Sequence, residues 1–113
     1  MGALEYLLCD SKSVLNGVTA YTDSCNIRFA QGYMATLIVL GGGSSVTITQ
    51  QCSLDNTNWY DPIDIVGTPL GIVYTTLLAS SYIYFSPILA VWMRFKIVAG
   101  ADSVVTMKII SKE

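Results

Sequence analysis

The chain has 113 residues, 52% of them apolar and only 12% charged, with six basic against eight acidic side chains for a net charge of -2. That length allows one domain with a core of its own, and the scattered, slightly acidic charge excludes the basic face that nucleic acid requires. Histidine is absent, which removes the commonest general base, the commonest nitrogen ligand for metals and any Ser/His/Asp or Cys/His arrangement.

The opening MGALEYLLCDSK has no basic residues ahead of its apolar stretch, so no secretory signal is expected and synthesis in the cytoplasm is. Tyr6 stands where a myristoylation signal needs Ser or Thr. Residues 4 to 9 read as a short first strand and residues 10 to 17 as a polar loop. The first ten residues are also read as an arm or edge strand able to add to a neighbour's sheet. In residues 25 to 29, Cys25, Ile27 and Phe29 alternate with Asn26 and Arg28, which gives a strand with one apolar face.

Residues 33 to 40 are apolar on both faces, the mark of a central covered strand or of a strand at an interface. The Gly41-Gly42-Gly43-Ser44-Ser45 turn then leads to residues 46 to 53, read as the partner strand of a hairpin. Val46, Ile48 and Cys52 share one face there, while Thr47, Thr49 and Gln51 share the other. Asp55-Asn56 suits a turn because Asn tolerates positive φ. Pro62 limits residues 60 to 65 to an edge or irregular strand.

Between Ile65 and Met93 no side chain is charged, a stretch long enough to cross a bilayer. Gly67, Pro69, Gly71 and Pro87 interrupt it, as do Thr75-Thr76 and Ser80-Ser81, so strands broken by turns are expected in place of a membrane helix. Residues 71 to 78 and 82 to 85 are the strand candidates within it. Residues 91 to 110 read as a last hairpin around a Gly/Ala/Asp/Ser turn. Met93, Phe95 and Ile97 take one face and Trp92, Arg94, Lys96 and Val98 the other. On the return strand Val105, Met107 and Ile109 point inward, with Thr106 and Lys108 outward. About eight short antiparallel strands without a long helical period predict a single all-β domain over residues 1 to 113, a jelly-roll-like sandwich.

Cys9, Cys25 and Cys52 are widely spaced, form no CxxC pair and fit small buried hydrophobes in a reducing compartment. No catalytic, cofactor or metal residues are assigned. Asp55, Asn56, Asn58 and Asp61 have oxygens suited to calcium, but their spacing matches no EF-hand loop. Trp59 and Tyr60, next to Asp55, Asn56 and Asn58, form the candidate ligand or contact site. An exposed pair of rings can stack on a sugar, whereas Trp59 folded back as a lid is the simpler packing. Trp92, on the outward register of its strand, is the candidate interface anchor.

Ser53, Asp55, Thr57 and Trp59, followed by Arg94 and Phe95 ahead of a turn and a final strand, give the chain a likeness over residues 33 to 110. It resembles the small all-β structural proteins of tailed bacteriophage virions, in which a strand runs into a Ser-x-Asp-Gly-Thr-x-Trp loop. Asn56 stands in place of the glycine. The resemblance implies a virion component without enzymatic activity, such as a head decoration, minor capsid or tail accessory protein. It also implies self-association, often as trimers, and contact with a major capsid or tail protein, with neither nucleic acid nor membrane as partner. Strand-loop-Trp patterns also occur in carbohydrate-binding jelly rolls, so a glycan-binding module that uses Trp59 and Tyr60 is the alternative.

Overall fold

A computed structural model describes residues 3 to 27, 34 to 41 and 45 to 112. Nine strands are present in it: β1 (Ala3–Val14), β2 (Thr19–Tyr21), β3 (Cys25–Asn26), β4 (Met34–Leu40), β5 (Val46–Ser53), β6 (Ile72–Leu77), β7 (Ser81–Phe85), β8 (Trp92–Ala99) and β9 (Ser103–Lys112). They form two antiparallel sheets, one in the order β1-β9-β4-β7 and the other in the order β2-β8-β5-β6, with β3 also on β8. The all-β expectation holds, with nine strands among the described residues in place of about eight.

Alternation in β8 does what period-2 patterning dictates. Met93, Phe95, Ile97 and Ala99 are buried, while Trp92, Arg94, Lys96 and Val98 are half-buried on the other face. In β9 Val105, Met107 and Ile109 are likewise fully buried. These side chains join Leu8 and Val14 of β1, Met34 and Ile38 of β4, and Val46 and Ile48 of β5 in one core cluster to which both sheets contribute. Phe85 of β7 meets Phe95 of β8 edge-on, with ring centroids 5.7 Å apart. Covering a side chain of this size contributes about 1.5–3 kcal/mol, so the β8 row is a principal support of the fold.

The two hairpins expected from sequence do not form. β4 and β5 lie in different sheets, as do β8 and β9; β4 pairs with β9, and β5 pairs with β8. Short turns that resemble hairpin loops instead carry the chain from one sheet to the other. Both strands of each pair have an apolar face, and those faces meet better across the core than side by side. The crossings are joined at one end of the molecule. The Gly41 N–H donates to the Val104 carbonyl at 2.9 Å, Gly100 to Ser45 at 2.8 Å, and Gly17 to Ala99 at 2.8 Å. The Asp102 carboxylate accepts the Asn16 N–H at 2.9 Å.

The first strand is longer than expected. β1 runs on through Val14, and of residues 10 to 14, expected in a loop, Lys12, Ser13 and Val14 pair with β9 beyond a bulge. Register shifts between Leu7 and Cys9 and between Cys9 and Lys12, with Ser11 at φ 48, break the alternation that marks a strand in sequence. From Ala3 on, the segment expected as an arm or edge strand is an edge strand of its own sheet, Ala3 opposite Lys112. Residues 60 to 65 form no strand, only the bridges Cys52 to Tyr60 and Ile63 to Pro69. The expected strand over 25 to 29 is described only as Cys25–Asn26 and Ile27; Arg28 and Phe29 lie outside the described residues, as do Tyr33 and the Gly42-Gly43-Ser44 part of the turn. Among the described residues no helix is long and apolar enough to cross a membrane, and the uncharged stretch holds β6 and β7.

Gln50 shares the inward register with Val46 and Ile48 and is buried. Its side chain uses both ends, donating from Nε2 to the Ile88 carbonyl at 3.1 Å and accepting the Ile88 N–H at 2.9 Å. A polar group in a core must find such partners, and this one pins the β7–β8 connection. Nearby, the Gln50 N–H donates to the Gly71 carbonyl at 2.6 Å.

Candidate functional site

The site begins where β5 ends. The Ser53 hydroxyl accepts the N–H groups of Asp55 at 3.2 Å and Asn56 at 2.9 Å and donates to Asp55 Oδ1 at 3.0 Å. Asp55 Oδ1 also accepts the N–H groups of Thr57 at 3.0 Å and Asn58 at 2.9 Å, while Oδ2 accepts Asn58 Nδ2 at 2.8 Å. Asn56 takes the left-handed conformation, φ 60, which Asn accepts more readily than most residues. The donors of Asn58 and Thr57 hold the Asp55 carboxyl far below the usual carboxylate range. In this arrangement the Asp55 carboxylate and the Asn58 Nδ2 amide are bonded within the loop and hold its shape.

The loop then returns along the free edge of β5, where Tyr60 and Cys52 exchange two backbone hydrogen bonds of 3.0 Å. That return places Trp59, half-buried, against the outer face of the second sheet. The Arg94 guanidinium carbon lies 4.6 Å from the Trp59 ring centroid and 4.2 Å from that of Tyr21 on β2. Arg94 Nε donates to Gln51 Oε1 at 2.8 Å, Gln51 Nε2 donates to Asp61 Oδ1 at 2.8 Å, and Asp61 Oδ2 meets Lys96 Nζ at 2.5 Å. Strand pairing explains the convergence, since Gln51 lies opposite Arg94 and Tyr21 opposite Lys96. Bonds from Lys96 first, then Gln51, hold the Asp61 carboxyl below its ordinary range.

Of the residues singled out from sequence, the structure brings Asp55, Asn56, Asn58, Trp59 and Tyr60 into one loop. Trp59 is tied to Arg94, and the Tyr60 ring is left exposed. Trp92 lies on the Arg94 side of β8, half-buried and opposite Ser53 and Asn26. Asp61, weighed from sequence only as a calcium oxygen, instead meets Gln51 and Lys96, and Tyr21, Gln51 and Lys96 were not singled out as site residues. Alternation put Gln51 and Lys96 on outer faces, but only the β5–β8 register shows that those faces are one. Lys96 is paired with Asp61, while the Arg94 guanidinium is held by the neutral Gln51 side chain and the rings of Tyr21 and Trp59, which braces the loop against the sheet. Among the described residues no group of three or more His, Cys, Asp or Glu side chains is placed to hold a metal.

The outer face of the other sheet differs. Its cross-strand rows read Glu5, Ile110, Ala35, Tyr84 and then Leu7, Lys108, Leu37, Tyr82. Glu5 and Lys108 form an ion pair at 3.6 Å. Leu7, Leu37 and Val39, with Asp10, Thr106 and Lys108, line a shallow groove of about 420 Å³. Leu7, Val39, Tyr82 and Tyr84 remain largely exposed on this face. The strand read as apolar on both sides is therefore buried on one and half open on the other.

The sequence matches no protein-family model, and no curated protein matches it in sequence. Among solved structures, the chain is similar in fold to the crystal structure of SPBc2 prophage-derived protein YomS, with a TM-score of 0.61 at 11% identity over 98% of this chain and 94% of that one. The likeness is therefore one of fold, an all-β chain of two antiparallel sheets.

Proposed function

We propose that this chain is a non-enzymatic structural protein of a tailed-phage particle, a capsid decoration or minor capsid protein that coats or stabilises the particle through apolar subunit contacts. The observation that carries this reading is the amount of apolar surface left outside the core, on the β1-β9-β4-β7 face and along residues 60 to 74. Contiguous exposed apolar area is the usual mark of a protein contact. The fold neighbour is a prophage-derived protein, and the Ser53-Asp55-Trp59 and Arg94-Phe95 elements of the virion-protein resemblance meet in space through Trp59 and Arg94. A chain that changes sheet at most of its connections, in the orders β1-β9-β4-β7 and β2-β8-β5-β6, supports a jelly-roll sandwich, an architecture common in capsids.

In this proposal the chain's partners are further copies of itself and a major capsid or tail protein, and its location is the virion. A glycan-binding module is the second reading, favoured by the exposed Tyr60 ring beside Trp59. It is weakened by the Arg94 contact on the Trp59 ring and by the engaged Asp55 carboxylate. Light scattering behind a sizing column, across a dilution series, tests self-association, and mass spectrometry of particles purified from cells that carry the gene tests the location. A discrete oligomer present in the particles is expected. A monomer absent from them that binds sugar, and loses that binding in Trp59→Ala, would replace this reading with the second.

A further inference from the structure

The two sheets have four edges, formed by β1, β7, β6 and, together along β8, β2 and the two-residue β3, and three of these edges are blunted. β1 carries two register shifts, the left-handed Ser11 and the charged Asp10 and Lys12. β2 is three residues long. β6 pairs irregularly with β5 and has Thr76 in the left-handed region at φ 59. Bulges, charges and shortness are the devices by which proteins keep sheet edges from pairing with other chains.

β7 has none of them. It keeps one unbroken register with β4 from Ser81 to Phe85 and lies inside the uncharged stretch from Ile65 to Met93. The stretch that looked long enough for a membrane helix thus supplies β6 and β7, an edge strand of each sheet. Tyr82 and Tyr84 project from β7, 52% and 72% exposed, with their rings edge-on at 5.7 Å.

We propose that β7 is the self-association edge. It pairs antiparallel with β7 of a second copy about a two-fold axis at Ile83, which joins two β1-β9-β4-β7 sheets into one continuous sheet. Full overlap of the five-residue strand requires Ile83 opposite Ile83, and Tyr82 of each copy then faces Tyr84 of the other. Such a contact is isologous and closes on itself. With no charge on the strand, self-pairing opposes no like charges, whereas cross-strand tyrosines attract. This inference rests on the self-association proposed above and adds its site and symmetry.

The test is the mass of the full chain by light scattering over a dilution series, for the wild type, Tyr82→Lys/Tyr84→Lys and Tyr82→Lys/Tyr84→Glu, with far-UV circular dichroism to check that each folds. The wild type is expected as an even-numbered assembly. The double-lysine variant sets like charges opposite each other across the axis and should dissociate at least ten times more readily. The lysine–glutamate variant sets opposite charges there and should recover association. A folded monomeric wild type at every concentration would overturn self-association itself. A wild-type oligomer whose mass and dilution behaviour ignore both variants would overturn only the β7 edge, as would an odd-numbered assembly.

Discussion

Arg94 on β8 and Trp59 at the end of the β5 loop, 35 positions apart in sequence, meet with the guanidinium carbon 4.6 Å from the ring centroid. The contact fastens a surface loop to the central part of a sheet. It also makes Trp59 a reporter of the loop's position, because the cation held against its ring is fixed by Gln51 on the neighbouring strand.

A double-mutant cycle of Trp59→Ala and Arg94→Ala in urea unfolding should give a coupling energy of about 0.5–2 kcal/mol, the range for a cation over a partly covered ring. Additive effects would mean that the two side chains do not support each other. Arg94→Lys should recover only part of the coupling, because an ammonium has neither the planar stack nor the Nε donor that meets Gln51.

Gln50→Leu keeps the bulk of the side chain but leaves the N–H and carbonyl of Ile88 without their partner. An unsatisfied buried polar group costs about 1–3 kcal/mol, so a loss of that order in urea unfolding is expected. Hydrogen exchange should rise first at Ile88. Stability equal to wild type would show that the β7–β8 connection does not depend on Gln50.

Gly71 lies where the chain closes on β5. A Cβ added there would come 2.5 Å from the Gln50 carbonyl oxygen and 2.9 Å from the Pro62 ring. Backbone cannot yield as a flexible side-chain tip does, so Gly71→Ala should destabilise by about 1–3 kcal/mol, the usual cost of overpacking. Gly17→Ala is the control. That glycine has no neighbour within 4 Å of an added Cβ but has φ +78, so any loss there comes from backbone strain alone.

The carboxyls of Asp55, Asp61 and Asp64 are all held below their ordinary value, Asp64 mainly by the Thr68 N–H. A depressed folded pKa stabilises the fold above the unfolded value near 4, and that stabilisation is lost as pH falls through the folded values. Thermal unfolding should therefore change little between pH 5 and 7 on account of these groups and weaken progressively below about pH 4. Asp55→Asn should flatten part of that acid limb. A limb as steep as in the wild type would show that the loop's donors do not act through the carboxylate.

At alkaline pH Cys25 gives the opposite sign. Burial pushes its thiol from 9.0 up to about 12, so between those values the unfolded chain sheds a proton that the folded chain keeps, and stability falls as pH rises. With a thiol reagent near pH 8, Cys25 should react only on unfolding, since thiolate is the reactive form. Rapid labelling of Cys25 in the native protein would contradict its burial.

Alternation in the sequence assigned the faces of β8 and β9 because each has a single apolar side, and it placed β5 over its full length. It could not assign sheets. A turn such as the one before Ser45 serves a hairpin or a crossing equally well, and the choice depends on whether the apolar faces meet side by side or across a core. Bulges hid the second half of β1, since a register shift reverses the pattern that identifies a strand. Within the candidate site, the loop residues were legible because Ser53, Asp55 and Asn56 act locally. Tyr21 and Lys96 were not, and Asp61 was legible only as a loop oxygen, because what unites them is pairing between strands distant in sequence.

The place of β9 has a consequence for how the molecule is made. β9 lies between β1 and β4, yet it follows both in the chain, so on the ribosome β1 and β4 emerge with the gap between them still unfilled. Their edges stay open until Ser103–Lys112 has been synthesised. Sheet closure of this kind depends on contacts between distant segments, which form slowly. A chain truncated before Ser103 would lose the middle of a sheet and not merely an end, leaving two strands with no partner between them.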